Sequence, residues 1–391
     1  MKRILLISVL LISIKASAQD PITTTSFELF GDHIFISLSV DDSEPVDFIF
    51  DTGDGLAVID VDVAKKLNLK MDHKSSKTSA QGSVSGALIE HNKIEINDVK
   101  LEDIELYTTD LDHLERSIGR NIDGIIGYDL LKNYVVSIDY SDMTIKLYSQ
   151  QSFYYTGNGE SFQFKLLNYI PTIQATVELN NGEKYTDSFF LNTGAGTTMD
   201  FNTPFASKHD VITKTGEHYS YPVSGLGTEE TMHYEGRVKS FTVGSFKIED
   251  LPIGISQAKH GIQHNKKVAG IIGNGVLKHF NTTYNYASSM IYLEPNENFE
   301  KPYEVNSSGI NLQFGKQMQK LLIHRVFENS PAEAAGIKID AELLEVNGKA
   351  VSEYNLPEIR KILNEVKGSV TVKYKQDGVE NEATLELKPL L

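Results

Sequence analysis

A short turn motif occurs twice in this 391-residue chain, and it constrains the fold more than any other feature. Residues 51–53 read Asp-Thr-Gly and residues 192–194 read Asn-Thr-Gly, each after three apolar residues. Each copy is followed by an Ile-Ile-Gly segment, at 125–127 and at 271–273. The copies span 76 and 81 residues from first motif to final Gly, and this matched order and spacing indicates an internal duplication.

The first 18 residues have the layout of a secretory signal peptide. A basic start is followed by an apolar run at 4–14 and a small-x-small end at 16–18, which places cleavage after Ala18. The apolar run is too short to span a bilayer as a permanent helix. No Cys follows it to carry a lipid. The sequence therefore predicts a secreted or periplasmic protein without a membrane span.

Composition excludes several classes of function. The chain has no Cys, which rules out disulfides, thiolate catalysis and Cys-based metal sites. Removal of residues 1–18 lowers Lys+Arg from 37 to 34 against 53 Asp+Glu, a formal net charge of about −19. Such a surface repels phosphate backbones, so nucleic acid is not an expected partner.

Short strands separated by Gly, Asn and Asp predict a mainly β chain. We expect two related β-barrel lobes, at residues 26–150 and 160–296, each ending in a hairpin. Helices are predicted at 61–67 and 129–133.

A third unit with a different strand and helix pattern follows at residues 305–391. Residues 294–305 are polar, contain two prolines and indicate a linker. The unit alternates strands with a short helix that begins at Pro331 and an amphipathic helix at 356–366, which predicts an α+β domain.

Each of the three residues in the repeated turn has a distinct chemical role. Asp51 presents a carboxylate from a rigid strand end, the Thr52 hydroxyl can bond across to the partner copy, and Gly53 lets backbone N–H groups approach. Two carboxylates brought together in this way share one proton, so that one acts as base on a water and the other as acid. Such a pair hydrolyses a peptide bond without a metal or a cofactor.

These segments resemble the aspartic peptidases of the pepsin and retropepsin type. The resemblance rests on Phe-Asp-Thr-Gly at 50–53, Gly-Ile-Ile-Gly at 124–127 and their counterparts at 192–194 and 270–273. It implies two lobes of retropepsin size that enclose a cleft, with Asp51 catalytic. A polypeptide is the implied substrate or ligand, and no cofactor or metal is implied.

The C-terminal unit resembles a PDZ domain, through residues 329–337 and 343–348. The resemblance implies a peptide-docking groove. Its carboxylate-binding loop would lie at the following residues: Gly309, Ile310, Asn311 and Leu312. Asn311 stands where the family usually has Gly, and residues 339–341 do not match the family's Gly-Asp, so recognition of peptide C-termini stays an open question.

Asn192 is the main departure from the peptidase pattern, because it occupies the position of the second catalytic Asp. An amide has no ionisable proton to share, so the acid–base cycle is lost, and removal of one partner of such a pair usually costs most of the rate. Thr193 and Gly194 keep the shape of the site. The sequence is compatible with a degenerate family member and with an engineered substitution.

Asp54 is a second departure, since the family usually has Ser or Ala after the first Gly. Two interpretations are open. Asp54 shares a proton with Asp51 and partly replaces the missing partner, or it is a turn residue that points to solvent.

Two Gly-containing hairpins are candidates for flaps over the cleft. The first, at residues 81–86, contains Gly82 and Gly86, and the second, at 224–227, contains Gly225 and Gly227. The alternative is that both are ordinary hairpin loops.

Two functions remain open at this point. One is an endopeptidase that acts on exported polypeptides; the other is a pseudo-enzyme that binds extended peptides without cutting them. A third arrangement would pair first lobes from two chains, but the covalent second lobe disfavours it. A monomer is compatible with the sequence, which does not determine the oligomeric state.

Overall fold

The computed structural model describes residues 19–71, 73–80, 82–227 and 230–391, so the predicted signal peptide and Gln81 lie outside the described residues. Strands make up 48% of the structure, which confirms the mainly β fold class. Two barrel-like sheets in the N-terminal part share one topology, and a smaller α+β unit follows them.

The first lobe follows the strand pattern that the sequence predicts. Its elements, together with the strands that flank them, are β1 (Thr23–Ser26), β2 (Glu28–Phe30), β3 (His33–Val40), β4 (Val46–Phe50), β5 (Val58–Asp60), α1 (Val61–Lys66), β6 (His73–Thr78), β7 (Ser83–Ile96), β8 (Val99–Thr109), α2 (Asp112–Ile118), β9 (Gly124–Ile126), α3 (Tyr128–Leu131), β10 (Tyr134–Asp139) and β11 (Thr144–Ser149). Eight of these strands form one sheet in the order β2-β3-β4-β9-β5-β8-β7-β6, and an additional β3–β7 pairing closes it into a barrel. Helices α1 and α3 confirm the two helices predicted in this region.

The second lobe repeats this arrangement. Its elements are β12 (Glu160–Gln163), β13 (Lys165–Leu167), β14 (Ile170–Glu178), β15 (Lys184–Asn192), β16 (Met199–Phe201), α4 (Thr203–His209), α5 (Val211–Thr215), β17 (Tyr219–Val223), β18 (Thr231–Val243), β19 (Phe246–Ser256), β20 (Gly270–Gly273), α6 (Asn274–Leu277), β21 (Phe280–Asn285) and β22 (Met290–Pro295). The sheet order is β13-β14-β15-β20-β16-β19-β18-β17, closed by β14–β18. Because every strand of the first barrel has a counterpart in the second, the structure supports the predicted duplication.

A third sheet joins the two lobes. The predicted closing hairpins, β10–β11 and β21–β22, pair with each other, with Val136 opposite Tyr284. Strands β1 and β12 complete the sheet in the order β1-β11-β10-β21-β22-β12. Hydrogen bonding between β10 and β21 therefore fixes the lobes to one another, with the two motif turns facing.

The C-terminal unit is α+β, as predicted. Its elements are β23 (Ile310–Phe314), β24 (Leu321–Val326), α7 (Pro331–Ala334), β25 (Glu342–Val346), β26 (Lys349–Ala350), α8 (Leu356–Leu363), β27 (Ser369–Gln376) and β28 (Val379–Glu386). Asn355 caps α8 by accepting a hydrogen bond from the Glu358 N–H, while the Glu358 carboxylate accepts one from the Asn355 N–H. This capping box starts the helix where the apolar period begins.

The linker predicted at residues 294–305 is not a free connection. Its Phe299 ring packs on Phe280, with centroids 5.2 Å apart, and on Phe246. Tyr303 also packs against the core of the second lobe and stacks on His279. Aromatic burial outweighs the polar and Pro-rich composition, so this segment belongs to the second lobe.

No helix among the described residues is both long enough and apolar enough to cross a membrane.

Candidate active site

The two repeated turns face each other at the boundary between the lobes. The Thr52 hydroxyl donates to the Leu191 carbonyl at 2.9 Å, and the Thr193 hydroxyl donates to the Phe50 carbonyl at 3.0 Å. Each hydroxyl also accepts a hydrogen bond from the other Thr N–H. Thr52 and Thr193 are 1% and 0% exposed, so this reciprocal network is dry and holds both turns at a fixed distance.

This network places Asp51 and Asn192 on opposite sides of the floor of the same cleft. Asp51 Oδ1 accepts from the Gly53 N–H at 2.6 Å and from the Gly194 N–H at 3.2 Å. Asn192 Oδ1 accepts from the Gly194 N–H at 2.8 Å. A Cβ on Gly53 would overlap the Asn192 amide, and one on Gly194 would overlap the Asp51 carboxylate. Glycine is therefore required at both positions for the two polar side chains to approach.

Asp51 lies in a low-dielectric environment. Burial raises its pKa above the ordinary value, while the Gly53 N–H, the positive charge of Lys77 and the Gly194 N–H act in the opposite direction. Burial therefore favours the protonated form of Asp51 more than in a free carboxyl group. That property is what a general base or a proton-sharing carboxylate needs.

Asp54 is buried, so the interpretation of it as a solvent-exposed turn residue is wrong. Its Oδ1 forms an ion pair with Lys77 of β6, which also donates to the Leu56 carbonyl. Burial raises the pKa of Asp54 to about 7, and Lys77 acts against that increase. Asp54 is also within electrostatic range of Asp51, but its direct partner is a cation that the sequence pattern did not identify.

The cleft above this floor has a volume of about 950 Å³ and extends from Asp51 to the C-terminal unit. The hairpin of β6 and β7, which is the predicted first flap, lines one side of the cleft. Ser79 and Ala80 at its tip accept hydrogen bonds from the Ile262 and Gln263 N–H groups of the second lobe, at 3.1 and 2.9 Å. Since the tip reaches across to the other lobe, this flap is closed.

The two flap glycines predicted in the first lobe have different positions. Gly82 lies at the tip with open space around it. Gly86 lies within β7, where a Cβ would overlap the Thr108 carbonyl of β8. Gly86 therefore lets two strands of the barrel approach, and it is not a flap-tip residue.

The hairpin of β17 and β18 is the predicted second flap, and Gly225 and Gly227 lie at its tip. The Gly225 carbonyl is 2.8 Å from His113 Nε2 of α2. A Cβ on Gly227 would lie 3.6 Å from Val84 in the first flap. The two tips thus meet over the cleft.

The second lobe adds a buried acid to the cleft that the sequence analysis missed. Asp200 is 2% exposed, and burial raises its pKa to about 7. Its position in the duplicated sheet corresponds to Val58, since Asp200 pairs with Ile271 as Val58 pairs with Ile125. An Asp in one repeat where the other repeat has an apolar strand residue is the sequence signal that could have identified Asp200.

The residues predicted for the carboxylate-binding loop of the C-terminal unit lie just before β23 and in its first half. Ile310 and Leu312 are buried in β23, and Asn311 lines the cleft between them. The Gly309 N–H donates to Asn306 Oδ1 at 2.7 Å, and the Ile310 N–H donates to Ser308 Oγ at 3.2 Å. These N–H groups are satisfied within the loop.

Comparison with known proteins assigns two of the units. Residues 36–130 match the aspartyl protease family. The first lobe is an aspartyl protease domain. Residues 298–375 match the PDZ domain family, so the C-terminal unit is a PDZ domain. The second lobe lies beyond the aspartyl protease match and repeats the topology of that domain.

Two curated proteins are distantly similar to this chain. The carboxy-terminal processing protease CtpB of Bacillus subtilis (strain 168) is 25% identical over 130 residues, which cover 32% of this chain and 26% of that protein. The carboxy-terminal processing protease CtpA of the same organism is 28% identical over 148 residues, 37% of this chain and 31% of that protein. The chain thus spans less than a third of the length of either relative.

Among the described residues, no three His, Cys, Asp or Glu side chains are grouped so as to hold a metal ion.

Proposed function

We propose that this protein binds an extended polypeptide in its cleft and hydrolyses it as an aspartic-type endopeptidase, at a rate limited by Asn192. The observation that carries the proposal is the paired turn, in which the Thr52 and Thr193 network presents Asp51 and Asn192 to one closed cleft. The aspartyl protease match and the similarity to two proteases support it.

The residues of the site have separate tasks in this proposal. Asp51, as a carboxylate, takes a proton from a water that attacks the peptide carbonyl. Asn192 Nδ2 can donate a hydrogen bond to that carbonyl, but it cannot give up a proton to the leaving amine. The expulsion of the amine is therefore the step that the native chain performs poorly.

A second candidate is a pseudo-peptidase that binds exported polypeptides in the cleft and does not cut them. Asn192 favours it, because the amide removes the acid of the pair while the glycines and flaps that shape the cleft remain. We expect export through the predicted signal peptide under either candidate.

A cleavage assay separates the two candidates. Native chain and Asn192→Asp are compared on an unfolded polypeptide at pH 4 to 6, with Asp51→Asn in both backgrounds as the control. We expect Asn192→Asp to raise the rate by roughly 10³-fold, since members of a catalytic unit act together. Slow cleavage by the native chain that Asp51→Asn abolishes supports the endopeptidase. Cleavage by Asn192→Asp alone establishes the pseudo-peptidase, and absence of both cleavage and peptide binding contradicts both.

A further inference from the structure

The buried acid Asp200 belongs to a row of side chains that crosses the sheet of the second lobe. Residues paired on neighbouring strands point to the same face of a sheet, so the strand register defines this row. From β15 to β17 the row consists of Phe190, Ile271, Asp200, Gly254, Glu235 and Tyr219. All of these residues except Phe190 line the cleft, so this face of the sheet forms one of its walls.

The duplication supplies the corresponding row of the first lobe, which is closed and largely apolar. From β4 to β6 that row consists of Ile49, Ile125, Val58, Tyr107, Leu88 and His73. Tyr107 is 1% exposed and fills the position that Gly254 has in the second lobe. Its neighbours in the row are Val58 and Leu88, whereas both neighbours of Gly254 are carboxylic acids. The second lobe has thus lost the central ring and gained an acid on each side of it.

The Asp200 carboxyl lies over Gly254, toward Glu235 on the next strand. A Cβ on Gly254 would overlap Asp200 Oδ1 and would lie 2.9 Å from the Tyr221 hydroxyl. The missing side chain at Gly254 therefore lets the carboxyl of Asp200 approach the strand that carries Glu235.

One oxygen of the Asp200 carboxyl has no donor. Its Oδ2 accepts from Gln263 Nε2 at 3.3 Å, whereas the buried Oδ1 has no hydrogen-bond partner among the described residues. The Thr197 hydroxyl is close enough to act on the pKa of Asp200, yet it also has no hydrogen-bond partner there. A buried acceptor without a donor is costly in a folded protein. Its presence in a cleft wall points to a donor that a ligand supplies.

The two acids of the row are not neutralised by a cation. Among the described residues, no Lys or Arg nitrogen lies within 4.0 Å of either carboxyl, and the nearby Arg237 is paired with Asp250 at 2.9 Å. His233 Nδ1 is 4.0 Å from Asp200 Oδ2, but burial lowers the pKa of His233 to about 4, so the imidazole is neutral above that pH. Burial raises the pKa of Asp200 and of Glu235 to about 7, and both are largely ionised at pH 8.

The row lies close to the two repeated turns. Phe190 at one end of the row is two residues from Asn192 in β15, so their side chains share one face of the strand. The row is therefore displaced from Asn192 by roughly 7 Å along the strand, and Asp200 lies two strands, or about 10 Å, across the sheet. A long side chain of a peptide that crosses Asp51 and Asn192 can reach this row.

We propose that the part of the cleft wall formed by Asp200, Gly254 and Glu235 is a subsite that selects a Lys or Arg side chain of the bound polypeptide. The subsite rests on the proposed peptide-binding function. A cation with several N–H groups would give Asp200 Oδ1 its missing donor and would neutralise both carboxylates. The apolar row of the first lobe has no such preference, so the duplication has given the two lobes different specificities.

Peptide binding to the native chain tests the subsite without requiring turnover. Fluorescence anisotropy at pH 8 compares two short peptides that are blocked at both ends and differ in one central residue, Lys in one and norleucine in the other. The native chain is compared with Asp200→Asn, Glu235→Gln and Asp200→Val, the last of which introduces the residue of the first lobe. Glu304→Gln is the control, because Glu304 is an exposed acid of the same cleft and lies outside the row.

We expect the native chain to bind the Lys peptide about thirtyfold more tightly than the norleucine peptide. Asp200→Asn and Glu235→Gln should each lower that preference by about tenfold, in line with the loss of one charged hydrogen bond. Asp200→Val should favour norleucine. Glu304→Gln should change neither affinity by more than about twofold.

If the native chain binds both peptides equally, the acids do not select a cation, and the subsite is wrong while peptide binding stands. Equal weakening of both peptides by the two acid variants would show that these residues only shape the cleft. If Glu304→Gln loses the Lys preference as fully as Asp200→Asn does, the net charge of the cleft attracts the cation and the row does not. If neither peptide binds to the native chain, the proposed function fails as well.

Discussion

At the scale of single residues, the sequence predicted contacts between the two repeats better than contacts within one. The bond from each Thr hydroxyl to the other copy follows from the duplication, and the structure places Thr52 and Thr193 accordingly. The ion pair of Asp54 could not be predicted from the sequence. Its partner Lys77 lies 23 residues further along, in a strand whose sequence pattern does not show which side chains face the cleft. Buried ion pairs between distant residues leave no periodic signal.

Asp200 gives a prediction for stability against pH. Its pKa is about 7 in the folded chain, above the ordinary value of 3.8. The folded state therefore holds a proton that the unfolded state releases, and Asp200 costs stability progressively from about pH 4 to pH 7. We expect Asp200→Asn to gain about 2 kcal/mol more over the native chain at pH 8 than at pH 4, measured by urea unfolding.

Asp54 is present in both chains, so its effect cancels in this difference. The charge of Glu235 helps to raise the pKa of Asp200, so the difference measures Asp200 together with this neighbour. His233 Nδ1 lies 4.0 Å from Asp200 Oδ2, and burial lowers the pKa of His233 to about 4, so the comparison at pH 4 includes the titration of this neighbour. An advantage of Asp200→Asn that is the same at both pH values would show that this carboxyl does not titrate with a raised pKa.

At the scale of secondary-structure elements, the strands and hairpins could be predicted from the sequence. Which strands pair with each other between hairpins was harder to predict. The two closing hairpins were recognised from alternation and turn residues, yet nothing in either one specified that Val136 would lie opposite Tyr284. The position of each flap followed from its place between two motifs. The closed position of the first flap depends on the Ser79 and Ala80 carbonyls, which accept hydrogen bonds from N–H groups of the other lobe, and only the assembled structure reveals these contacts.

The first flap is held to the cleft floor by Lys77, whose side chain is 13% exposed. Lys77→Met removes the bonds to Asp54 and Leu56 while keeping the length of the side chain. We expect amide hydrogen exchange at residues 74–80 to rise by about tenfold, in line with the loss of a charged hydrogen bond. Exchange is measured by mass spectrometry near neutral pH.

Lys74→Met is the matched control, because Lys74 is an exposed residue of the same strand. It should leave exchange in the flap unchanged. In Lys77→Met alone, Asp54 is left as a buried carboxylate without a partner, which is itself destabilising. The double variant Lys77→Met with Asp54→Asn removes that carboxylate, so it measures the loss of the ion pair alone. If neither chain with Lys77→Met exchanges faster in the flap, Lys77 does not hold it.

At the scale of the whole molecule, the sequence predicted which domains are present but not how they touch. Gly119 of the aspartyl protease domain packs on Leu356, the first residue of α8, where a Cβ would lie 2.7 Å from the Leu356 Cβ. The PDZ domain also contacts the second flap, through Phe327 on Tyr219 and His324 on Glu230. The residues on these two surfaces form no repeat or motif, so the contacts between the domains could not be predicted from the sequence.

The contact of Phe327 with Tyr219 predicts that the PDZ domain limits motion of the second flap. The ring centroids are 4.6 Å apart, and Tyr219 begins β17 of the flap. Phe327→Leu keeps an apolar side chain but loses the ring contact, which is worth about 1 kcal/mol. We expect exchange at residues 219–223 to rise about fivefold while exchange at 79–80 stays constant, because the first flap is tied to the second lobe instead.

Phe314→Leu provides the control, since Phe314 packs on the core of the same PDZ domain. If both variants speed exchange at 219–223 equally, the effect comes from general loosening of the PDZ domain, and the ring contact is not the restraint. Should Phe327→Leu alone act, a ligand that displaces Phe327 would free the second flap. Binding to the PDZ domain and opening of the cleft would then be coupled, and by linkage a peptide in the cleft would change affinity at the PDZ domain by the same factor.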